Sequence, residues 1–122
     1  MEARVEVVRR LARRGAHAAL RRALAKSRAV DIAAAISHLA PTEQRLVMGS
    51  VEDDEVAADV LARVDEDDLN HLVDGMDFER LVTLLDTMDV DDEADVIDRL
   101  PEELHERVLA AIQDRDKVLV ED

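Results

Sequence analysis

The chain has 122 residues, 48% of them apolar, with one aromatic (Phe78), no cysteine, three glycines and two prolines. It is long enough for one domain, and it excludes disulfides, thiolate metal sites and cysteine nucleophiles. Its formal net charge is −14, a sign that repels nucleic-acid phosphates and attracts cations or basic partners.

The charge is unevenly spread. Of 16 Lys/Arg and 30 Asp/Glu, residues 1–28 hold nine and two; residues 29–122 hold the remaining seven and 28. Three regions follow: basic N-terminal helices over 1–28, an acidic helical-repeat body over 29–113, and a linker or tail over 114–122. Scarce Gly and Pro and abundant Ala, Leu, Arg, Glu and Asp are the usage of an all-α protein. Helices are expected near 2–14, 17–26 and 29–39, with Gly15 as a break. The basic stretch, including Arg9, Arg10, Arg13, Arg14, Arg21, Arg22, Lys26 and Arg28, has no interleaved aromatic for base stacking. Its readings are a membrane or nucleic-acid contact, or pairing with the protein's own acidic helices.

From residue 39 onward the apolar pattern resets at a fixed interval. Leu39, Val51, Val64, Met76, Met88, Leu100 and Ile112 follow one another at 12, 13, 12, 12, 12 and 12 residues. An apolar pair precedes each later marker by four and three positions: Val47/Met48, Val60/Leu61, Leu72/Val73, Leu84/Leu85, Val96/Ile97 and Val108/Leu109. This is one helical face per unit. Between units stand helix starts, rich in Asp or opened by Pro41 and Pro101. Helices of about nine residues are too short to be stable alone. They must stack, and about nine short antiparallel helices in a superhelix with a repeat of about twelve residues are expected.

Several catalytic and metal motifs fail. Asp89-Val90-Asp91-Asp92 opens like a calcium loop, but Ala94 stands where that loop needs Gly. The histidines, His17, His38, His71 and His105, are too dispersed for a zinc pair, and the isolated glycines make no phosphate loop. An enzyme is not expected. No apolar run reaches membrane-span length, and the first residues carry charges where a signal peptide needs an apolar run, so a soluble, cytoplasmic chain is expected.

The repeated turns Leu39-Ala40-Pro41-Thr42-Glu43 and Leu100-Pro101-Glu102-Glu103, with Val30-Asp31-Ile32-Ala33-Ala34-Ala35-Ile36 ahead of them, resemble the N-terminal cytosolic domain of MgtE magnesium transporters over about residues 17–113. That domain is a right-handed superhelix and is also similar to parts of the flagellar switch protein FliG. The family often has His-Pro before the entry Asp; here Arg28-Ala29-Val30 precede Asp31. The resemblance implies partners in the same polypeptide, namely paired CBS domains and a transmembrane pore, in a homodimeric transporter. It also implies weak regulatory Mg2+ between this domain and the CBS domains, closing the pore when Mg2+ is high. The chain is then either a domain of such a transporter or a free-standing relative, and the alternative function is a FliG-like interaction scaffold without metal sensing.

By motif the family's Mg2+ positions fall on Asp59, Asp91 and Asp95, with Asp92 adjacent. Asp59 and Asp95 are internal equivalents, since Ala58-Asp59-Val60 matches Ala94-Asp95-Val96 three units later. Asp91 and Asp95 share a helix face at i, i+4. The same residues have a plainer reading: Asp59 precedes Arg63 and Asp95 precedes Arg99 by four, as in solvated helix ion pairs, and Asp91 and Asp92 complement a helix N-terminus.

Overall fold

The computed structural model describes the backbone of residues 2–121 and the side chains of 5–116. Within them lie nine helices and no strand: α1 (Glu2–Arg14), α2 (His17–Ala25), α3 (Ala29–Ile36), α4 (Pro41–Gly49), α5 (Asp54–Arg63), α6 (Glu66–Asp74), α7 (Phe78–Thr87), α8 (Val90–Arg99) and α9 (Glu102–Glu121). The chain is all-α, as expected.

Helix starts follow the acidic breaks. Asp53 accepts from the amides of Glu55 and Val56, Asp65 from that of Asp68, and Asp77 from that of Glu79. These carboxylates satisfy donors that a first turn leaves unpaired. Pro41 opens α4, where Glu43 Oε1 accepts from the Ala40 amide at 3.1 Å. Gly15 ends α1 at φ 65, with Gly15 N–H donating to the Ala12 carbonyl and Ala16 N–H to that of Leu11. That pair of bonds is the Schellman closure, which needs a residue tolerant of the left-handed region.

Burial follows the repeat. The paired positions are buried in α4 to α8, and Leu20, Leu24, Ile32 and Ile36 extend the same core to the N-terminal helices. Packing between helices two apart runs through the stack, α1 on α3, α3 on α5, α4 on α6, α5 on α7 and α7 on α9, while α1 also packs on α2 and α4, and α8 mainly on α5. Buried alanines on α3 and α5, namely Ala33, Ala35, Ala57 and Ala58, let two backbones approach closely. The result is a stack whose contacts follow chain order, α1 and α2 at one end and α8 and α9 at the other.

α9 departs from the repeat. It continues through residues expected as a tail and reaches Glu121, a span of 20 residues. No Gly, Pro or cap motif interrupts residues 102–121, so nothing stops the helix.

A polar pin holds two layers together. Gln44 is 2% exposed; its Nε2 donates to the Ile36 carbonyl at 2.9 Å and to Asp68 Oδ1 at 2.8 Å. His71 Nδ1–H donates to Gln44 Oε1 at 2.9 Å. One amide thus joins the end of α3 to α6. Gln44→Ala leaves the buried Asp68 carboxylate short of a donor, a loss of about 1–3 kcal/mol for such a group, while the Ile36 carbonyl keeps its bond from the Leu39 amide. The expected result in urea unfolding is a lower midpoint with an unchanged slope. A midpoint equal to the parent's would show that the pin adds no stability.

Candidate functional site

The four predicted carboxylates lie on α5 and α8, two helices that pack together. The equivalence of Asp59 and Asp95 extends to their ion pairs: Asp59 Oδ1 meets Arg63 Nε at 3.0 Å, and Asp95 Oδ2 meets Arg99 Nη2 at 3.3 Å. Beyond that the two units diverge. Arg63 stays half exposed, while Arg99 is mostly buried and donates through Nη1 to the Val64 carbonyl at 2.8 Å and through Nη2 to that of Ala62 at 3.4 Å. Arg99 therefore fastens α8 to the C-terminal end of α5, where its charge complements the helix dipole. Asp95, itself 67% exposed, is held on a fixed helix while its carboxylate faces solvent.

Asp91 and Asp92 are exposed in the first turn of α8. Asp89 stands at its N-cap without a side-chain cap bond. The outward face of α8 thus carries Asp91, Asp92, Asp95 and Asp98, of which Asp95 alone has an arginine partner among the described residues. Among the described residues, no three His, Asp or Glu side chains converge as a ready metal cage. The structure places Asp59 on a neighbouring helix but does not gather the four into a single site.

Polar groups outside the predicted set occupy one repeat position. Three residues before each apolar pair stand Gln44, Ala57, Leu69, Leu81, Glu93 and His105. The first polar member forms the pin. The last, His105, donates Nδ1–H to the Ile97 carbonyl at 2.8 Å, joining α9 to the last turn of α8. Glu93 is half-buried. Its carboxyl is pushed above its ordinary range by burial first, then by the charges of Asp86 and Asp116, with Arg115 opposing. Arg115 itself binds Asp86 at 2.9 Å. A polar residue in phase with an apolar stripe is the signal that would have singled out all three.

A cavity of about 300 Å³ lies between α6, α7 and the start of α9, lined by Val73, Met76, Phe78, Leu104 and Arg107 among others. Arg107 stacks on the Phe78 ring, 4.4 Å from its centroid. None of the four predicted carboxylates lines it. No described helix is long and apolar enough to cross a membrane.

By its fold the chain is an all-α stack of mostly short helices, with exposed carboxylates along one face of α8. The chain belongs to the MgtE intracellular N domain family, whose model matches residues 27–122. That is a transporter domain family and not an enzyme family. The match begins later and ends later than the expected 17–113, leaving α1 and α2 outside it and taking in the whole of α9. No curated protein matches the chain.

The raised affinity of Glu93 for its proton has a sign. A carboxyl with a folded pKa above its unfolded value binds more protons when folded, so stability falls as pH rises from the unfolded pKa through the folded one. Glu93→Gln should therefore raise the melting temperature at pH 7, with the gain shrinking as pH falls toward the ordinary value of 4.5 and gone below it. Thermal melts across that range check it; a variant less stable than the parent at pH 7 would contradict the assignment.

Proposed function

We propose that this chain is the cytosolic regulatory domain of an MgtE-type magnesium transporter, and that it senses Mg2+ through Asp59, Asp91 and Asp95, with Asp92 beside them. The family match over residues 27–122 carries the reading. The outward face of α8 supports its chemistry. Carboxylate oxygens suit a hard cation that takes one or two carboxylates from any one element and keeps several waters. Asp91 and Asp92 have free lone pairs, and Asp95 retains one oxygen beyond its bond to Arg99. Because no cage exists within the described residues, the remaining ligands would come from another domain, the paired CBS domains of the same transporter. Mg2+ would supply positive charge between two acidic surfaces and bind weakly to this domain alone.

The residues of this chain set the two states. With their charges unmatched, Asp91, Asp92 and Asp95 repel an acidic partner surface and favour separation. With those charges matched, the same carboxylates become part of a shared interface and favour closure of the homodimeric assembly over its pore. A ligand shifts such an equilibrium only by its differential affinity for the two states, and ligands split between domains create that difference. Arg99 keeps α8 in register with α5, so the acidic face moves with the domain as one body.

In the full-length transporter, Asp91→Ala with Asp95→Ala should give a pore that remains open at Mg2+ concentrations that close the parent. Folding should persist, since exposed substitutions usually change stability by within about 0.5 kcal/mol. Glu66→Ala with Asp67→Ala is the matched control: both residues are exposed in the first turn of α6, so it removes equal charge from a surface outside the proposed site. Patch recordings across a Mg2+ series on both double variants decide between them. Equal shifts would assign gating to bulk acidity, and no shift in either would remove these carboxylates from the mechanism.

A further inference from the structure

Residues 1–26, outside the family match, hold half of the basic residues, eight of 16, and the structure divides the described cations into two sets. Arg9 donates to the His38 carbonyl at 3.0 Å and pairs with Glu6, Arg13 pairs with Glu43 at 3.2 Å, and Arg21 lies 3.8 Å from Glu52. These three fasten α1 and α2 to the acidic body. Arg10, Arg14, Arg22 and Lys26 are exposed and have no hydrogen bond or ion pair among the described residues.

The second set is ordered by helix geometry. On α1, Val7, Arg10 and Arg14 fall at i, i+3 and i+7, opposite the buried Val8 and Ala12; Val7 is 48% exposed. On α2 and its C-cap, Ala18, Arg22, Ala25 and Lys26 lie opposite the buried Leu20 and Leu24. The tight turn at Gly15 joins the two helices, which pack on each other. Each outward face thus combines long cationic side chains with small or aliphatic residues and, in the described part, one exposed acid, Glu6, already paired with Arg9. Aliphatic stems beside exposed apolar residues, with the charged heads extended, form the arrangement by which basic helices settle on an anionic headgroup layer.

We infer that the outward face of α1 and α2 docks on anionic phospholipid headgroups. The net charge of −14 does not prevent this. At physiological ionic strength charges are screened over about 8 Å, close to the spacing of one packed helix layer. A membrane pressed against α1 and α2 therefore senses four cations far more than the acidic helices stacked behind them. Nucleic acid is disfavoured, because neither helix carries a Phe, Tyr or Trp for base stacking. A second copy of the chain offers carboxylates, but it brings the same net negative charge without the continuous anionic plane of a bilayer. The inference is independent of Mg2+ sensing, because it uses none of Asp59, Asp91, Asp92 or Asp95.

Co-sedimentation of the 122-residue chain with vesicles tests it, comparing phosphatidylcholine alone with phosphatidylcholine containing about one-third phosphatidylglycerol. At 0.15 M NaCl the chain should pellet with the anionic vesicles and stay free of the neutral ones, and 0.5 M NaCl should release it. Each cation near an anionic surface is worth roughly fivefold in partitioning. Replacing Arg10, Arg14, Arg22 and Lys26 together by Gln should therefore lower binding to the level seen on neutral vesicles. Helical circular dichroism of that variant should match the parent's, since the four side chains hold nothing in the fold. Asp91→Ala with Asp95→Ala should leave vesicle binding in place. The inference fails if the parent ignores anionic vesicles at 0.15 M NaCl, or if the folded Gln variant binds as well as the parent. It also fails if the parent self-associates through these four residues and binds no vesicles, which would assign the face to a second copy.

Discussion

Each helix leaves its last four carbonyls without an intrahelical partner, and in helices of eight to ten residues such as α3 to α8 that is nearly half of all the acceptors. The superhelix depends on closing these ends. Arginines from other layers do much of it: Arg9 reaches the His38 carbonyl beyond α3, Arg45 that of His71 in α6, Arg80 that of Val51 beyond α4, and Arg99 those of Val64 and Ala62 at the end of α5. Each bond matches a cation to the negative end of a helix dipole and ties two helices in the same step. Space is made for it: a Cβ on Gly75 would stand 2.5 Å from Arg45 Cδ, so the glycine after α6 lets that side chain cross. Asp at the starts and Arg at the ends thus divide the capping between them.

The periodicity made the layers legible because each unit must bury the same face against its neighbours. Its markers proved to be junction residues. Val64, Met88 and Leu100 are the C-caps of α5, α7 and α8, while Val51 and Met76 lie one residue past the caps of α4 and α6. An apolar side chain there fills the corner where one short helix turns into the next. The last unit differs because the stack ends. Val108 is buried but Leu109 is 38% exposed, and Ile112 falls inside α9. A repeat assumes a following layer, so it could not show where layers stop. The absence of any breaker after Glu102 was the available sign that the helix runs on.

The candidate site was legible to the level of helix faces. Spacing alone placed Asp91 and Asp95 on one face of α8 and paired Asp59 and Asp95 with arginines four residues on. It could not show that Arg99 turns away to bridge two carbonyls of α5 while Arg63 stays on its own helix, because that difference comes from tertiary packing. Gln44, Glu93 and His105 were hidden for a related reason. A search for the apolar positions of a stripe passes over the polar residue that shares its phase. Buried there, such a residue must find partners or shift its proton equilibrium; Gln44 and His105 do the first, and Glu93 does the second.

The same economy explains why the acidic face remains unmatched. Six of the seven basic residues beyond residue 28 are arginines, and each has a structural engagement. Arg45, Arg80 and Arg99 close helix ends, Arg107 covers Phe78, and Arg63 and Arg115 pair with Asp59 and Asp86. Three of these six form hydrogen bonds to carbonyls at helix ends, so the carboxylates of residues 29–122 far outnumber the cations left to neutralise them. The surplus repels itself, and apolar burial along the stack must offset that repulsion. A surface in this condition gains from any cation brought to it, and gains most where fixed helices hold several carboxylates on one face. In α8 the residue that fixes the helix, Arg99, is also the only arginine partner among its outward carboxylates in the described residues, so the clamp that orders the acidic face leaves Asp91, Asp92 and Asp98 without an ion pair there.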